Sequence, residues 1–375
     1  MEFKTYKLGE IVINYDKKRI PLSSAQREKR QGPYRYYGAQ GVIDYIDDYL
    51  FDGTYLLIAE DGENLKSKKQ NIAQIATGQF WVNNHAHIVQ GNELCDTRFL
   101  CYLINSMDLS GYITGSAQPK LSQANLNAVE ITIPEITVQR QIVDYLYSLD
   151  HKIDINNHIN DNLQQQALAI FRQELLREGE LPEGWVSGSL LDIANYLNGL
   201  AMQKFRPVDG EKGLPVLKIK ELRQGTCDVS SELCSPNIKP EYIVHDGDVI
   251  FSWSGSLLVD LWCGGTCGLN QHLFKVTSEK YPKWFYYAWT AHHLARFVAI
   301  AADKATTMGH IKREELANAE VVIPDSGSME RIGGVLQPMY DLIISNRIEN
   351  HKLAMLRDTI LPQLMSGELV VSDLT

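Results

Sequence analysis

The chain has 375 residues, of which 44% are hydrophobic and 22% charged, and its formal net charge is −10. This length accommodates two or three domains of ordinary size. No apolar run approaches the about 20 residues that span a bilayer, and the first residues lack a signal-peptide core, so we expect a cytoplasmic protein with no membrane partner. The acidic balance by itself argues against a nucleic-acid partner, because phosphate binding needs a positive surface.

Local charge departs from that average near the N-terminus. Residues 16–35 hold seven lysines and arginines against only Asp16 and Glu28. Such a segment is either a solvated loop or a phosphate-binding surface, and its composition favours neither interpretation.

The stretch NNHAHIV at residues 83–89 places His85 and His87 two apart in a predicted strand, where alternate side chains share a face. Two imidazoles in this arrangement could bind Zn²⁺. No third ligand lies nearby in the sequence, so the favoured interpretation is a strand whose polar positions are histidines.

The six cysteines of so long a chain do not make a disulfide framework, and a reducing compartment would keep them as thiols. Four of them could be drawn as a thiolate site: Cys227, Cys234, Cys263 and Cys267. Their spacings lack the two-residue knuckle of a zinc site. We therefore expect no bound metal.

An internal repeat is the most informative feature of the sequence. The segment from Lys120 to Pro134 aligns with the segment from His310 to Pro324 at a constant offset of 190 residues. Both copies predict a short amphipathic turn, a strand and a proline. The alignment continues without a gap as far as Leu163, which excludes a chance match.

The continuation of the repeat follows the a/d rhythm of a coiled coil, with asparagine at two successive positions of each copy. The predicted seam consists of Ile142, Leu146, Leu149, Ile153, Asn156, Asn160 and Leu163 in the first copy and Ile332, Leu336, Met339, Ile343, Asn346, Asn350 and Leu353 in the second. A buried amide must find another amide, which determines register at a cost in stability. The alternative is an ordinary amphipathic helix with exposed asparagines.

Upstream of Lys120 and His310 the two copies of the repeat are less similar. Residues 53–58 resemble 247–252, each an alternating strand, and residues 82–85 resemble 269–272. The predicted fold is therefore α/β (α+β), with two similar globular domains separated by two long helices that pack as an antiparallel coiled coil, a pseudo-two-fold internal repeat.

The first helix is predicted over about 137–178. The second is predicted from about Met329, with Pro362 bending or ending it before Gly367. A helix of about 35 residues is roughly 50 Å long. Two such helices would hold the globular domains about a dozen or more base pairs of duplex DNA apart.

Several segments resemble one known family. Residues 133–185, with Gln139-Arg140-Gln141 and Leu181-Pro182-Glu183-Gly184-Trp185, resemble the central helical region of the specificity (S) subunit of type I restriction-modification systems. Residues 356–369 look like that family's C-terminal helix, and residues 36–43 and 115–122 resemble motifs of its target-recognition domains. The likeness covers essentially the whole chain. It departs where residues 135–138 lack the usual second proline and Glu-Gln pair.

The resemblance implies a non-catalytic subunit that binds double-stranded DNA. Each domain would read half of a bipartite, asymmetric sequence, while the helices set the spacer and dock two modification (methyltransferase) subunits, which restriction (translocase-nuclease) subunits join. S-adenosylmethionine, ATP and Mg²⁺ would then belong to partner subunits and not to this chain. The implied organisation is target-recognition domains at 1–135 and 181–327, a central helical spacer at 136–180 and a C-terminal helical spacer at 328–368.

DNA reading requires cations for phosphates and side chains that hydrogen-bond to base edges. Candidates in the first domain are Arg27, Lys29, Arg30, Arg35, Tyr36, Gln40, Lys66, Lys68, Lys69, Gln118 and Lys120. Candidates in the second are Lys204, Arg206, Lys218, Lys220, Trp253, Lys304, Thr306, Thr307, His310 and Lys312. Each alone could be a solvated surface residue, whereas the clusters favour a groove-facing surface.

Two other functions remain as alternatives. A free-standing methyltransferase would need a glycine-rich S-adenosylmethionine loop and an Asn-Pro-Pro-aromatic motif, and an ATP-driven motor would need a P-loop; the sequence contains none of these. A protein that acted only as a scaffold through its coiled coil would have no use for the clusters of lysine and arginine.

The repeat also bears on the two histidines. His85 has a counterpart in His272, but His87 falls where the second copy has Phe274. We therefore expect Asn83 and His85, like Asn270 and His272, to hold a neighbouring loop by hydrogen bonds, and His87→Phe to leave DNA binding largely intact.

Overall fold

The computed structural model describes residues 2–116, 118–176, 179–303 and 311–374. Tertiary contacts divide the chain into two compact units. The first unit holds the residues up to Asp150 together with those from Met355 onward, and the second unit holds His151–Ala354. Both units contain helices and strands, which confirms the predicted mixed fold class.

The first unit contains eight strands and five short helices before the first long helix. The strands β1–β8 are Phe3–Lys7, Val12–Asn14, Gln31–Gly38, Gly41–Ile46, Phe51–Ala59, Ala73–Val82, Ala86–Gly91 and Glu130–Pro134. The helices α1–α5 are Leu8–Ile11, Ser24–Glu28, Asn64–Ser67, Thr97–Ser106 and Gln123–Ala128.

Six of these strands form one sheet in the order β2-β7-β5-β6-β3-β4, and β1 pairs with β8 in a separate ribbon. All pairings in the sheet are antiparallel except β3 with β6. Aromatic and aliphatic residues such as Phe51, Leu57 and Phe80 are buried on it, because alternate positions along a strand face the same side.

The second unit repeats much of the strand pairing of the first with shorter strands. The strands β9–β18 are Val186–Ser189, Asn195–Asn198, Leu214–Leu217, Leu233–Cys234, Ile243–Val244, Val249–Ser252, Leu258–Leu261, Cys267–Leu269, Leu273–Thr277 and Glu320–Ile323. The first long helix, α6, is Ile136–Leu175, and the short helices α7–α11 that follow it are Leu190–Ile193, Ile219–Gln224, Lys283–His292, Leu294–Asp303 and Arg313–Ala317.

The sheet is divided in the second unit. Its strands form two four-stranded sheets, β10-β17-β14-β15 and β12-β11-β16-β13, besides the β9-β18 ribbon. The parallel pair recurs as β11 with β16, where Leu217 lies opposite Leu269 as Tyr37 lies opposite Val82 in the first unit. The single strand β6 of the first unit therefore corresponds to two strands, β15 and β16, interrupted at residues 262–266.

The two long helices are α6, Ile136–Leu175, and α12, Ser326–Ser366. The second continues through Pro362, so that proline does not end it. In the second unit Asn156 lies against Asn350, and Asn160 lies against Asn346. Because the residue numbers run in opposite directions, the helices pack antiparallel, as the repeat predicted.

The predicted seam lies on the packed side of both helices. Its fourteen residues are buried or half-buried. Asn156, Asn160 and Asn346 are 1%, 4% and 7% exposed, and the Asn156 and Asn346 amides donate to Asn350 and Asn160 at 2.8 and 2.9 Å. The amides are thus paired across the helices rather than turned to solvent.

None of the helices in the described residues is long and apolar enough to cross a membrane.

Candidate nucleic-acid interface

The basic segment of the first unit is held by carboxylates of the neighbouring hairpin β3-β4. Arg27 Nε donates to Asp44 Oδ2 at 2.9 Å, and Arg30 Nε donates to Asp47 Oδ1 at 2.9 Å. The Arg27 guanidinium also lies 5.1 Å from the centre of the Tyr36 ring. Both arginines are therefore oriented before any ligand arrives.

Tyr36 is a core residue, which corrects its prediction as a DNA contact. Its side chain has no solvent exposure. Its hydroxyl accepts a hydrogen bond from Leu22 N at 2.9 Å. Its ring belongs to a small buried cluster with Ile46 and Trp81, so its role is to support Arg27.

Two predicted loops of the first unit meet. Lys66 Nζ donates to Gly115 O at 3.0 Å, and Gly62 N donates to Pro119 O at 3.1 Å. Lys120 Nζ lies 3.4 Å from Glu60 Oε1. The structure therefore brings Lys66 and Lys120 to one loop cluster.

The second unit has a cationic cleft of about 550 Å³. Its charged lining residues are Arg206, Lys218, Lys220 and Glu232, and its polar ones include Gln203, Asn270, Gln271 and His272. Glu232 accepts a hydrogen bond from Lys218 and pairs with Arg206 Nη2 at 3.0 Å. The bond from Lys218, followed by its charge, holds the pKa of Glu232 below its usual value.

The remaining candidates are less constrained or lie elsewhere. Lys29, Arg35, Gln40, Lys68, Lys69, Gln118, Lys204 and Lys312 are exposed. Trp253 is half-buried and donates through Nε1 to Asn198 Oδ1 at 2.9 Å, so it packs within the unit. Lys304, Thr306, Thr307 and His310 lie outside the described residues.

The two histidines of NNHAHIV do not share a strand face, which corrects the prediction of one strand through both. Strand β6 ends at Val82 and β7 begins at Ala86, so His85 lies in the turn between them. His85 Nδ1 is 2.8 Å from Asp61 Oδ2.

The matching turn of the second unit has the same hydrogen bonds. The backbone N–H groups of His85 and His272 donate to Asn83 and Asn270 Oδ1 at 2.8 and 3.2 Å. The His272 ring lies 3.0 Å from Ser254 Oγ, as the His85 ring lies beside Asp61. This confirms that the two Asn-x-His turns hold equivalent neighbouring loops.

Sequence reasoning missed a buried charged cluster around His87. Its ring lies 2.6 Å from Asp16 Oδ2 and 3.8 Å from Glu60 Oε2. Arg19 Nη1 donates to Glu60 Oε2 at 2.7 Å and Nη2 lies 3.6 Å from Asp16. These residues are far apart in sequence, and no local spacing signals their meeting.

The described residues contain no group of three or more His, Cys, Asp and Glu side chains placed to hold a metal ion. Among the cysteines proposed as an alternative zinc site, Cys227 accepts a hydrogen bond from Cys267, which lowers its pKa. Burial raises the pKa of Cys263 to about 11. All six cysteines are free thiols.

The sequence matches the family of the type I restriction modification DNA specificity domain over residues 1–165 and 182–354. These two matches cover most of the chain: the first spans residues 1–150 and continues along α6, and the second lies within the second unit. The protein therefore belongs to this family.

Individual relatives agree with that assignment. A Haemophilus influenzae protein provisionally named a type I restriction enzyme specificity subunit is 29% identical over 258 residues, which are 67% of this chain and 65% of the relative. The type I restriction enzyme MjaIX specificity subunit of Methanocaldococcus jannaschii is 24% identical over 304 residues, 74% of this chain and 70% of the relative. The matched region thus spans about two thirds of the length of these relatives.

One solved structure shares the fold. The crystal structure of the type I restriction-modification S subunit from M. genitalium superimposes with a TM-score of 0.66 over 97% of this chain and 96% of that chain, at 12% identity.

Proposed function

We propose that this protein is the DNA-reading specificity subunit of a type I restriction-modification complex. Each unit reads one half of a bipartite, asymmetric DNA sequence. The long helices set the length of the unread spacer and dock two modification subunits, and restriction subunits complete the endonuclease. The chain directs methylation and restriction and catalyses neither, so S-adenosylmethionine, ATP and Mg²⁺ bind the partner subunits.

The duplication is the observation that carries this proposal. Both units match the same DNA specificity domain. Both contain an Asn-x-His turn and one parallel strand pair. Two similar DNA-reading units in one chain are suited to two different half-sites, because each can diverge in its side chains while the backbone is kept.

The charge arrangement supports selective rather than general DNA binding. Asp44 and Glu232 pair with Arg27, Arg206 and Lys218. A phosphate or a guanine edge must therefore replace a carboxylate as the partner of these cations. This accounts for an acidic chain that still offers cations to DNA, since only a well-fitted duplex compensates the exchange.

The test uses the complex of this chain with its modification subunits. Methylome sequencing of the host with and without the chain gives the recognised sequence. Binding is then measured on duplexes that carry both half-sites with the native spacer, with a spacer lengthened or shortened by a few base pairs, or with a scrambled spacer of native length. We expect binding to be lost when the length changes and kept when only the spacer sequence changes.

Spacer-independent binding would contradict the proposal. Methyl transfer from S-adenosylmethionine by the purified chain alone would instead support a free-standing methyltransferase. Full methylation by the modification subunits without this chain would leave it a scaffold.

A further inference from the structure

Histidine 87 occupies a fully buried position at the base of a loop. Its Nδ1 lies 2.6 Å from Asp16 Oδ2, and its Nε2 lies 2.8 Å from the carbonyl oxygen of Leu121. A carbonyl oxygen only accepts hydrogen bonds, so Nε2 carries a proton. The protonation state of His87 therefore depends on whether Nδ1 carries a second one.

The contacts of Asp16 indicate whether His87 Nδ1 carries a proton. Its Oδ1 accepts from Ile88 N at 2.8 Å. Burial alone would raise the pKa of Asp16, but the hydrogen bonds from His87 and Ile88, with the charges of His87 and Arg19, bring it below its ordinary value of 3.8. An ionised carboxylate only accepts, so a proton on Nδ1 must occupy the 2.6 Å separation between the two side chains.

The surrounding charges compensate a buried cation at this place. Asp16 and Glu60 face His87 from two different segments. Arg19 contacts both carboxylates, and Lys120 pairs with Glu60. A buried ion pair persists only when its remaining donors and acceptors are bonded, and the bonds named here meet that condition.

We propose that His87 donates hydrogen bonds from both ring nitrogens, to Asp16 and to the Leu121 carbonyl, and so positions residues 118–121 of the first unit. Its Nε2 bonds the Leu121 carbonyl, while Leu121 N donates to Glu60 O at 2.8 Å. Both backbone groups of Leu121 are thus tied to the charged cluster. The loop above carries Gln118 and Lys120, so the effect of His87 on DNA reading rests on the proposed function.

The second unit builds the same loop base without charge. Ile311 N donates to Trp253 O at 2.9 Å, as Leu121 N donates to Glu60 O. Phe274 stands where the first unit has His87, and its ring centre lies 5.6 Å from that of Trp253. The ion pair is therefore specific to the first unit. The expectation that His87→Phe leaves DNA binding largely intact stays a prediction, and the buried contact between His87 and Asp16 argues against it.

Asp16→Asn is the sharpest test, because asparagine has the same shape. Its amide oxygen can accept from Ile88 N, and its amide nitrogen can donate to His87 Nδ1. The ring then becomes neutral and keeps only the Nε2 proton that bonds Leu121. The substitution removes the charge pair and preserves every hydrogen bond.

The protonation state is measured by NMR on the full-length chain with ¹⁵N-labelled histidine rings at neutral pH. His87→Asn assigns the signals. We expect two protonated ring nitrogens for His87 in the wild type and one in Asp16→Asn. Asp61→Asn is the matched control, since it alters the exposed Asp61–His85 pair and should leave the His87 signals unchanged. A neutral His87 in the wild type overturns the proposal.

Positioning is measured separately by hydrogen exchange of the Lys120 and Leu121 amides. We expect exchange about fivefold faster in Asp16→Asn, because charge-assisted hydrogen bonds are roughly twice as strong as neutral ones. Unchanged exchange would overturn the positioning role.

The consequence for DNA is read from the methylome of cells that carry Asp16→Asn. Bases in one half-site should relax, by roughly tenfold in discrimination, which corresponds to one base contact, while the other half stays strict. Loss of both halves would indicate misfolding and overturn a local role. If the wild-type complex shows no split sequence at all, the proposed function fails, whereas the NMR and exchange results still decide the state and role of His87.

Discussion

The two units have different side chains at the base of the same loop. In the first, the loop base is a cluster of charges around His87 and Glu60. In the second, the matching positions are Phe274 and Trp253, which pack with Phe251 and Tyr196. Charges demand directed bonds and are costly if one partner is lost, whereas aromatic rings tolerate small shifts. The same backbone therefore supports a rigidly oriented loop in one unit and an apolar base in the other.

The sheets of the two units also differ. One sheet of six strands carries the first unit, whereas the second unit has two sheets of four strands. The shared features are the backbone bonds of the turn and of the loop base. Duplication thus preserved the hydrogen-bonded frame and left the side chains on it free to diverge.

The largest effect is expected from exchanging the two loop bases. His87→Phe should destabilise the first unit by about 3–5 kcal/mol, because the buried Asp16 carboxylate loses its 2.6 Å partner and keeps only Ile88 N and the more distant Arg19. Phe274→His should cost less, about 1–3 kcal/mol, since a neutral imidazole loses only its hydrogen bonds. Hydrogen exchange of peptides from each unit in increasing urea measures both. Adding Asp16→Leu to His87→Phe should recover part of the loss, and a harmless His87→Phe would contradict the comparison.

A smaller effect is expected in the helices, whose seam asparagines fall in the second unit. Asn346→Leu should destabilise that unit by about 1–3 kcal/mol, because the buried Asn160 amide loses its partner. Replacing both Asn160 and Asn346 by leucine should restore stability while leaving the Asn156–Asn350 pair as the remaining amide constraint on register. Chemical unfolding of the full chain measures both variants. Equal stability of the single and double variants would show that the amide pair has no energetic role.

A still smaller effect is expected when the cationic cleft of the second unit is compared with the basic segment of the first. Glu232→Gln should strengthen binding to random-sequence duplex and steepen its salt dependence by about one unit per phosphate gained, because Arg206 and Lys218 lose their partner. Asp44→Asn should do less, since Arg27 also donates to Leu22 O at 2.8 Å and lies over Tyr36. Titrations of the complex at several salt concentrations measure the slopes. Equal slopes for the two variants would remove this distinction.

Lowering the pH should destabilise the second unit before the first. Burial lowers the pKa of His292 and His293 from 6.5. The folded state therefore favours their neutral form, and its contribution to stability is complete above pH 6.5 and declines below it. The pKa values of Asp16 and Glu60 lie below 3.8 and 4.5 despite burial, because hydrogen bonds from His87 and Arg19 favour the carboxylates. Their contribution is present above those values and is lost only as the pH falls further.

Tryptophan fluorescence can follow this difference. Five of the six tryptophans belong to the second unit, and the Trp289 ring lies 5.5 Å from His292. A change between pH 6.5 and 4.5 that is absent in a His292→Gln, His293→Gln variant would agree with the assignment. A first unit that loses hydrogen-exchange protection in the same range would contradict it.

Some features could be predicted from the sequence because they are local and periodic. The repeat at an offset of 190, the long helices and the paired asparagines all follow from spacing along the chain. The Asn-x-His pair was recognisable because it occurs twice, although the sequence predicted a strand there and the structure has a turn. Helix ends differed by a few residues, since α6 stops at Leu175 and α12 starts at Ser326.

The candidate interface was less predictable. Tyr36 looked like a contact because it follows a basic segment, yet the sheet buries it. The sequence singled out Arg27 and Lys218, but their pairing with Asp44 and Glu232 depends on residues that come later in the chain. Sequence spacing carries no information about which carboxylate a folded loop will meet.

By itself the sequence determined the duplication, the helical seam and the membership of a DNA specificity family, because each is written in residue types at regular intervals. Only the tertiary structure decided the chemistry at the base of each loop. Asp16, Glu60, His87 and Leu121 meet through four separate segments. Their proton and their charges are determined by distances of a few ångströms, which arise only when the chain has folded.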